Sequence, residues 1–302
     1  MKNILSTWLK QLAAVALFAV ATAGLAADKI PVLASFSILG DLVRVVGADR
    51  VAVTTLVGAN EDAHVFEPKA SDVKNLLQTQ LLVTNGLGFE PWAQKLVKSA
   101  GYKGAVVVAS QGVKSRNMEA EKSQAVETDP HAWQNPTNVM LYVRNIAAAL
   151  GKLDPAGASV YQANSEAYAR ALQVLDADAK TQLRTIPADK RKVITSHDAF
   201  GYFGAHYGIQ FLAPQGVSTD AEPSAKAVAL LIRQIKKEQI KAVFFENMSN
   251  PKVLAQLSKD AGVTVGSELY VDALSKAGGP ADSYLNLMRH NVTQLVAGMK
   301  QN

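Results

Sequence analysis

The chain of 302 residues contains no cysteine. That one absence removes disulfides, thiolate nucleophiles, iron–sulfur clusters and thiolate zinc sites together. Any metal bound here is held by nitrogen and oxygen. Long apolar runs are also lacking: the stretch 12–20 falls short of the ~20 residues a membrane span needs. It sits instead in a leader, preceded by Lys2 and Lys10 and followed by the small residues Ala21, Ala23, Ala26 and Ala27. Residues 1–27 therefore read as a cleavable secretory signal peptide, with the mature chain starting near Ala27 or Asp28. The leader carries two lysines and no acid, so its loss lowers the formal net charge from +5 to +3. No basic patch remains to suit a nucleic acid. With no cysteine to accept a lipid, the expectation is a soluble periplasmic monomer without stable membrane anchoring, and not a lipoprotein.

What is present is an alternation. Short β-branched runs at 30–34, 51–56, 81–84 and 106–109, then at 193–195, 210–212, 243–245 and 263–265, are separated by helical stretches. Such alternation marks α/β units around mostly parallel sheets. Between the two groups lies one long amphipathic segment, in which Tyr161, Tyr168, Leu172, Leu175, Ala179, Leu183 and Ile186 recur at helical spacing. Asp154 suits its cap, Pro155 its first turn, and Pro187 its end. A domain takes ~100–150 residues, so the length favours two cores. The expected organisation is an N-terminal α/β lobe over 28–153, a helix over 154–186 and a C-terminal α/β lobe over 187–302. A long helix packed inside a single domain is the competing reading.

Five histidines are spread along the chain. His206 and His290 fall on helices, where a dipole contact and a solvated face explain them. His64, His131 and His197 fall in irregular segments beyond strands or before helices, at the edge where open α/β sheets bind ligands. Neutral imidazoles converging from separate loops suit a metal, each giving a lone pair without charge. Among the acids Asp272 is the best placed fourth donor, with Glu61, Asp62, Asp129, Asp198 and Glu246 competing. Glu246 ends a strand and suits the role of orienting an imidazole.

The stretches Asp62-Ala63-His64-Val65-Phe66-Glu67-Pro68, Asp129-Pro130-His131-Ala132-Trp133, Thr195-Ser196-His197-Asp198-Ala199-Phe200 and Tyr270-Val271-Asp272-Ala273-Leu274 carry a resemblance. Over its mature length the chain resembles the cluster A-I substrate-binding proteins of zinc and manganese ABC importers. The resemblance implies two lobes of mostly parallel sheet flanked by helices, joined by one long rigid helix, with the metal in the cleft between them. It maps the ligands to His64, His131, His197 and Asp272, and implies an importer permease as the membrane partner. No catalytic residue is implied.

Three imidazoles and a carboxylate match four-coordinate zinc. Manganese or iron(II), which favour more oxygen, stay as alternatives if Asp272 binds through both oxygens. A periplasmic zinc chaperone would share the same site. A secreted zinc hydrolase would offer Asp198 or Glu246 as base, but neither an HExxH pair nor a Gly-x-Ser-x-Gly elbow occurs. The stretch 111–128 contains no histidine, unlike the metal-scavenging loop of many zinc importers, and reads as a surface loop.

Overall fold

The computed structural model describes residues 28–118, 127–220 and 222–302. The expected signal peptide, residues 1–27, lies outside the described residues, as does the middle of the stretch 111–128.

In the N-terminal lobe four parallel strands, β1 (Ile30–Phe36), β2 (Val51–Val57), β3 (Leu81–Thr84) and β4 (Ala105–Val108), lie in the order β2-β1-β3-β4. β1 is central and apolar almost throughout because both of its faces are covered, the usual pattern of a buried parallel strand. Around the sheet run α1 (Ser37–Gly47), α2 (Ala70–Leu77), α3 (Pro91–Ala100) and α4 (Pro136–Leu153). The ends of these helices follow from local chemistry. α4 starts where Asn135 accepts the Thr137 amide and Pro136 takes the first helical position. α3 stops at Gly101, whose φ of 62° is left-handed. A short antiparallel pair, β5 (Asn117–Met118) with β6 (Glu127–Thr128), closes this lobe.

The long helix is α5 (Ala158–Leu183), 26 residues entered through a 3-10 turn at Pro155–Gly157 that Asp154 caps. At ~1.5 Å per residue it spans about 39 Å. All seven apolar positions of the expected stripe are buried, but regular helix ends at Leu183 and continues to Ile186 only as turns. Each lobe grips the rod. Near its start Asp154 accepts from Arg50 Nε at 2.8 Å and from Tyr161 at 2.7 Å, and Asn164 donates to the Val46 carbonyl. Near its end Asp176 meets His206 Nε2 at 2.6 Å. His206 therefore binds the long helix, a sharper role than a dipole contact.

In the C-terminal lobe β7 (Lys192–Ile194) pairs in parallel with β8 (Gln210–Leu212). The runs expected as strands at 243–245 and 263–265 join this sheet only through single parallel bridges, Ile194 to Val243 and Val243 to Val265. Beside it lie α6 (Gly201–Tyr207), α7 (Ala225–Glu238), α8 (Pro251–Ala261) and α9 (Tyr284–Met299).

α7 and α8 enclose a smaller apolar cluster, with Ile194, Leu231, Ile235, Leu254 and Leu257. The main core runs through both lobes, from Leu33 and Ile146 by way of Leu172 to Phe203, Phe244 and Leu295. α9 packs back against α5 and α1, where Asp41 accepts the Tyr284 amide at 2.8 Å. The result is a two-lobed α/β fold whose halves share buried apolar contacts through the joining helix. No helix among the described residues is long and apolar enough to cross a membrane.

Candidate metal centre

The loops beyond the strand ends meet between the lobes. His64 comes from the segment after β2, His131 from just beyond β6, His197 from three residues past β7, and Asp272 from beyond the Glu246–Leu269 bridge. One ligand-type atom from each of the four lies within 4.8 Å of the others. His64 Nε2 is 3.2 Å from His131 Nε2 and 3.2 Å from Asp272 Oδ2, and His197 Nε2 is also 3.2 Å from Oδ2. His131 Nε2 stands 3.7 Å from Asp272 Oδ1. His131, His197 and Asp272 are fully buried. Neither Asp272 oxygen nor His197 Nε2 has an aligned hydrogen bond. Buried polar atoms are nearly always paired, so a carboxylate and an imidazole nitrogen that face each other here without aligned hydrogen bonds fit a cation between them.

Two of the three imidazoles are aimed from behind by a carboxylate on Nδ1. Asp129 Oδ1 accepts both the His131 backbone amide and, at 3.0 Å, Nδ1–H, which leaves Nε2 with its lone pair. Glu246 does the same for His197: Oε2 accepts from Nδ1, and Oε1 accepts the amides of Ser196 and His197 at 2.9 and 3.1 Å. Ser249 Oγ donates to Oε2. Asp62 Oδ1 accepts the His64 amide while Oδ2 accepts from Thr219 across the cleft. Asp198 is not among the converging donors. The segment carrying Asp272 is clamped from both lobes. Trp133 Nε1 and Gln134 Nε2 donate to the Val271 carbonyl, Ser37 Oγ accepts the Leu274 amide, and Asn291 accepts the Tyr270 amide. Phe89 and Trp133 wall the imidazoles with aromatic edges.

Sequence reasoning ranked Asp129 only as a rival donor. Its spacing to His131, like that of Asp62 to His64, was the available signal, since an Asp two residues before a histidine readily accepts that residue's own amide. The clamp at Asn291 left no signal at all.

Charge settles the metal-free state. Burial works against a charged His197, but the carboxylates of Glu246 and Asp272 outweigh it and hold this imidazole well above the ordinary histidine range. Burial likewise opposes a charged Asp272, and His131 and His197 overcome it, keeping the carboxyl well below its usual range. At neutral pH the metal-free site thus holds an imidazolium against a carboxylate, and a cation must displace the His197 proton to reach Nε2. Metal affinity is expected to rise with pH by about tenfold per unit until that raised value is passed. Competition titrations at successive pH values check this, and a flat profile would contradict it.

A family model described as ZnuA, zinc-uptake complex component A, periplasmic, matches residues 32–298. The chain belongs to this family. Its members are substrate-binding components of metal ABC importers, not enzymes, which removes the hydrolase alternative. Among its relatives, the manganese-binding lipoprotein MntA of Halalkalibacterium halodurans is 34% identical over 274 residues, covering 91% of this chain and 90% of the relative. The iron ABC transporter substrate-binding lipoprotein MtsA of Streptococcus pyogenes serotype M1 is 30% identical, covering 99% of this chain and 98% of its own. The solved periplasmic zinc-binding protein TroA of Treponema pallidum superposes with a TM-score of 0.84 at 29% identity, covering 90% of this chain and 99% of its own. These names span manganese, iron and zinc.

They also correct one expectation. MntA and MtsA are named lipoproteins, as are PsaA and SloC, which overturns the reading of this chain as not a lipoprotein. That reading rested on the missing cysteine alone, a single feature set against relatives matched over nine-tenths of the chain. A location facing outward from the cell membrane is consistent with all of these names.

Proposed function

We propose that this importer component captures Zn2+ through His64 Nε2, His131 Nε2, His197 Nε2 and the Asp272 carboxylate, and delivers it to the membrane permease. The observation that carries the reading is the convergence of three imidazole nitrogens and one carboxylate within 4.8 Å, with His131 and His197 oriented through Nδ1 by a carboxylate and His64 held by Asp62 at its backbone amide. Nitrogen-rich four-coordination is zinc's preference, whereas manganese takes more oxygen. In this reading residues 28–153 and 187–302 supply two donors each, 154–186 join them, and the chain acts as a monomer without a nucleic-acid partner. The shared core limits how far the lobes swing, so loading is mainly an ordering of the loops that carry the donors.

One observation favours a second reading. Both oxygens of Asp272 face the imidazoles without aligned hydrogen bonds, so a bidentate carboxylate would give five-coordination suited to manganese or iron(II). Titration of the metal-free protein with zinc and with manganese decides between them. Zinc is expected to bind at least about a hundredfold more tightly, in line with the Irving–Williams order on a nitrogen-rich site. Equal or tighter manganese binding would overturn the zinc assignment and support the second reading.

A further inference from the structure

Of the four converging side chains only that of His64 reaches solvent, with 5% of it exposed against none for the other three. A cation therefore has to pass His64 to reach them. A cavity of about 560 Å3 opens on this imidazole, and Asp220 supplies the carboxylate on its wall. The opposite wall is the loop after β3. There Gly86, Leu87 and Gly88 take successive φ values of 85°, 56° and 84°, a conformation disfavoured for leucine and held only when the surroundings impose it. Here they do. The buried Glu90 carboxylate accepts the amides of Asn85 and Gly86 and the Ser35 hydroxyl, and Asn85 donates to the Pro130 carbonyl just before His131. The wall is thus rigid and keyed to the site, and it ends in Phe89, whose ring stands edge-on to His64 at 4.7 Å.

A second cavity, of about 260 Å3, is lined by Asp62, Val65, Ser196, Thr219 and Ser249. None of the four donors lines it. On its wall Asp62 accepts from Thr219 at 2.6 Å, and Ser249 donates to Glu246, so the polar groups nearest the donors are already engaged. The Asp62 carboxylate is committed to the His64 amide as well.

We infer that the cation enters and leaves through the cavity over His64, with Asp220 as its outer contact and His64 as the first imidazole it meets. The inference rests on the zinc reading above. Electrostatic attraction by one carboxylate at the mouth acts on rate, and its effect is screened by salt.

The missing cysteines make the test clean, because Ser218→Cys at this mouth, or Val253→Cys in the second cavity, gives a single thiol in the whole chain. Each variant is labelled with a bulky maleimide, and zinc association is followed by stopped flow with the parent as reference. Labelled Ser218→Cys is expected to take up zinc at least about tenfold more slowly, labelled Val253→Cys at the parent rate. Asp220→Asn should slow uptake by about threefold at low salt and not at high salt. Slowing by the Val253 label alone, or by neither label, overturns the route. A parent protein that takes up no zinc refutes the underlying zinc reading instead, so the two failures are distinct.

Discussion

Asp272→Ala should lower zinc affinity by about a thousandfold, the ~4 kcal/mol expected when one partner of a buried charged set is removed. Three neutral imidazoles remain, and nothing among them offsets the charge of a dication directly. The metal-free fold should survive, because no backbone or hydroxyl donor depends on this carboxylate and the surrounding segment is held through the Val271 carbonyl and the Tyr270 and Leu274 amides. Circular dichroism of the metal-free variant beside a competition titration separates the two effects. A variant that unfolds, or one that keeps parent affinity, would contradict this assignment of Asp272.

At Glu246 two substitutions part company. Glu246→Ala strands the buried amides of Ser196 and His197 and the Nδ1 proton of His197. At roughly 1–3 kcal/mol for each of these three unsatisfied groups, the metal-free protein should lose about 3–9 kcal/mol of stability. Glu246→Gln keeps an oxygen for both amides, so stability should fall by about 1 kcal/mol or less. Its amide nitrogen, however, donates toward His197 Nδ1 and drives the ring proton to Nε2, the atom that faces the metal. Zinc affinity should drop by about ten- to a hundredfold in this well-folded variant. Thermal unfolding and zinc competition on both variants check the contrast. Equal effects of Ala and Gln on affinity and stability would show that Glu246 only fills space.

The sequence was most legible where one physical constraint dominated. β1 reads directly because a central parallel strand is apolar on both faces, and α5 reads from seven apolar residues at helical spacing with a cap at Asp154. The C-terminal sheet was less legible. Val243 and Val265 look like strand residues, yet they join the sheet only through isolated bridges, and where a short run stops pairing depends on tertiary contacts absent from local pattern. The three histidines stood out because helices accounted for the other two. Glu246 separated from the other acids by ending a strand, and it takes the expected place behind an imidazole, reaching His197 from 49 residues away; Asp129 did not separate, because an acid two residues before a histidine marks a local turn as readily as a ring partner. The missing cysteine bore on donor chemistry and had no power over lipidation, where the relatives speak against the inference drawn from it.

The central claim is the identity of the four donors, and zinc-edge X-ray absorption on the loaded protein tests it most directly. The expected spectrum shows three imidazole nitrogens and one carboxylate oxygen at ~2.0–2.2 Å, and loses the oxygen donor in Asp272→Ala. A shell dominated by oxygen, or one unchanged by Asp272→Ala, would contradict it.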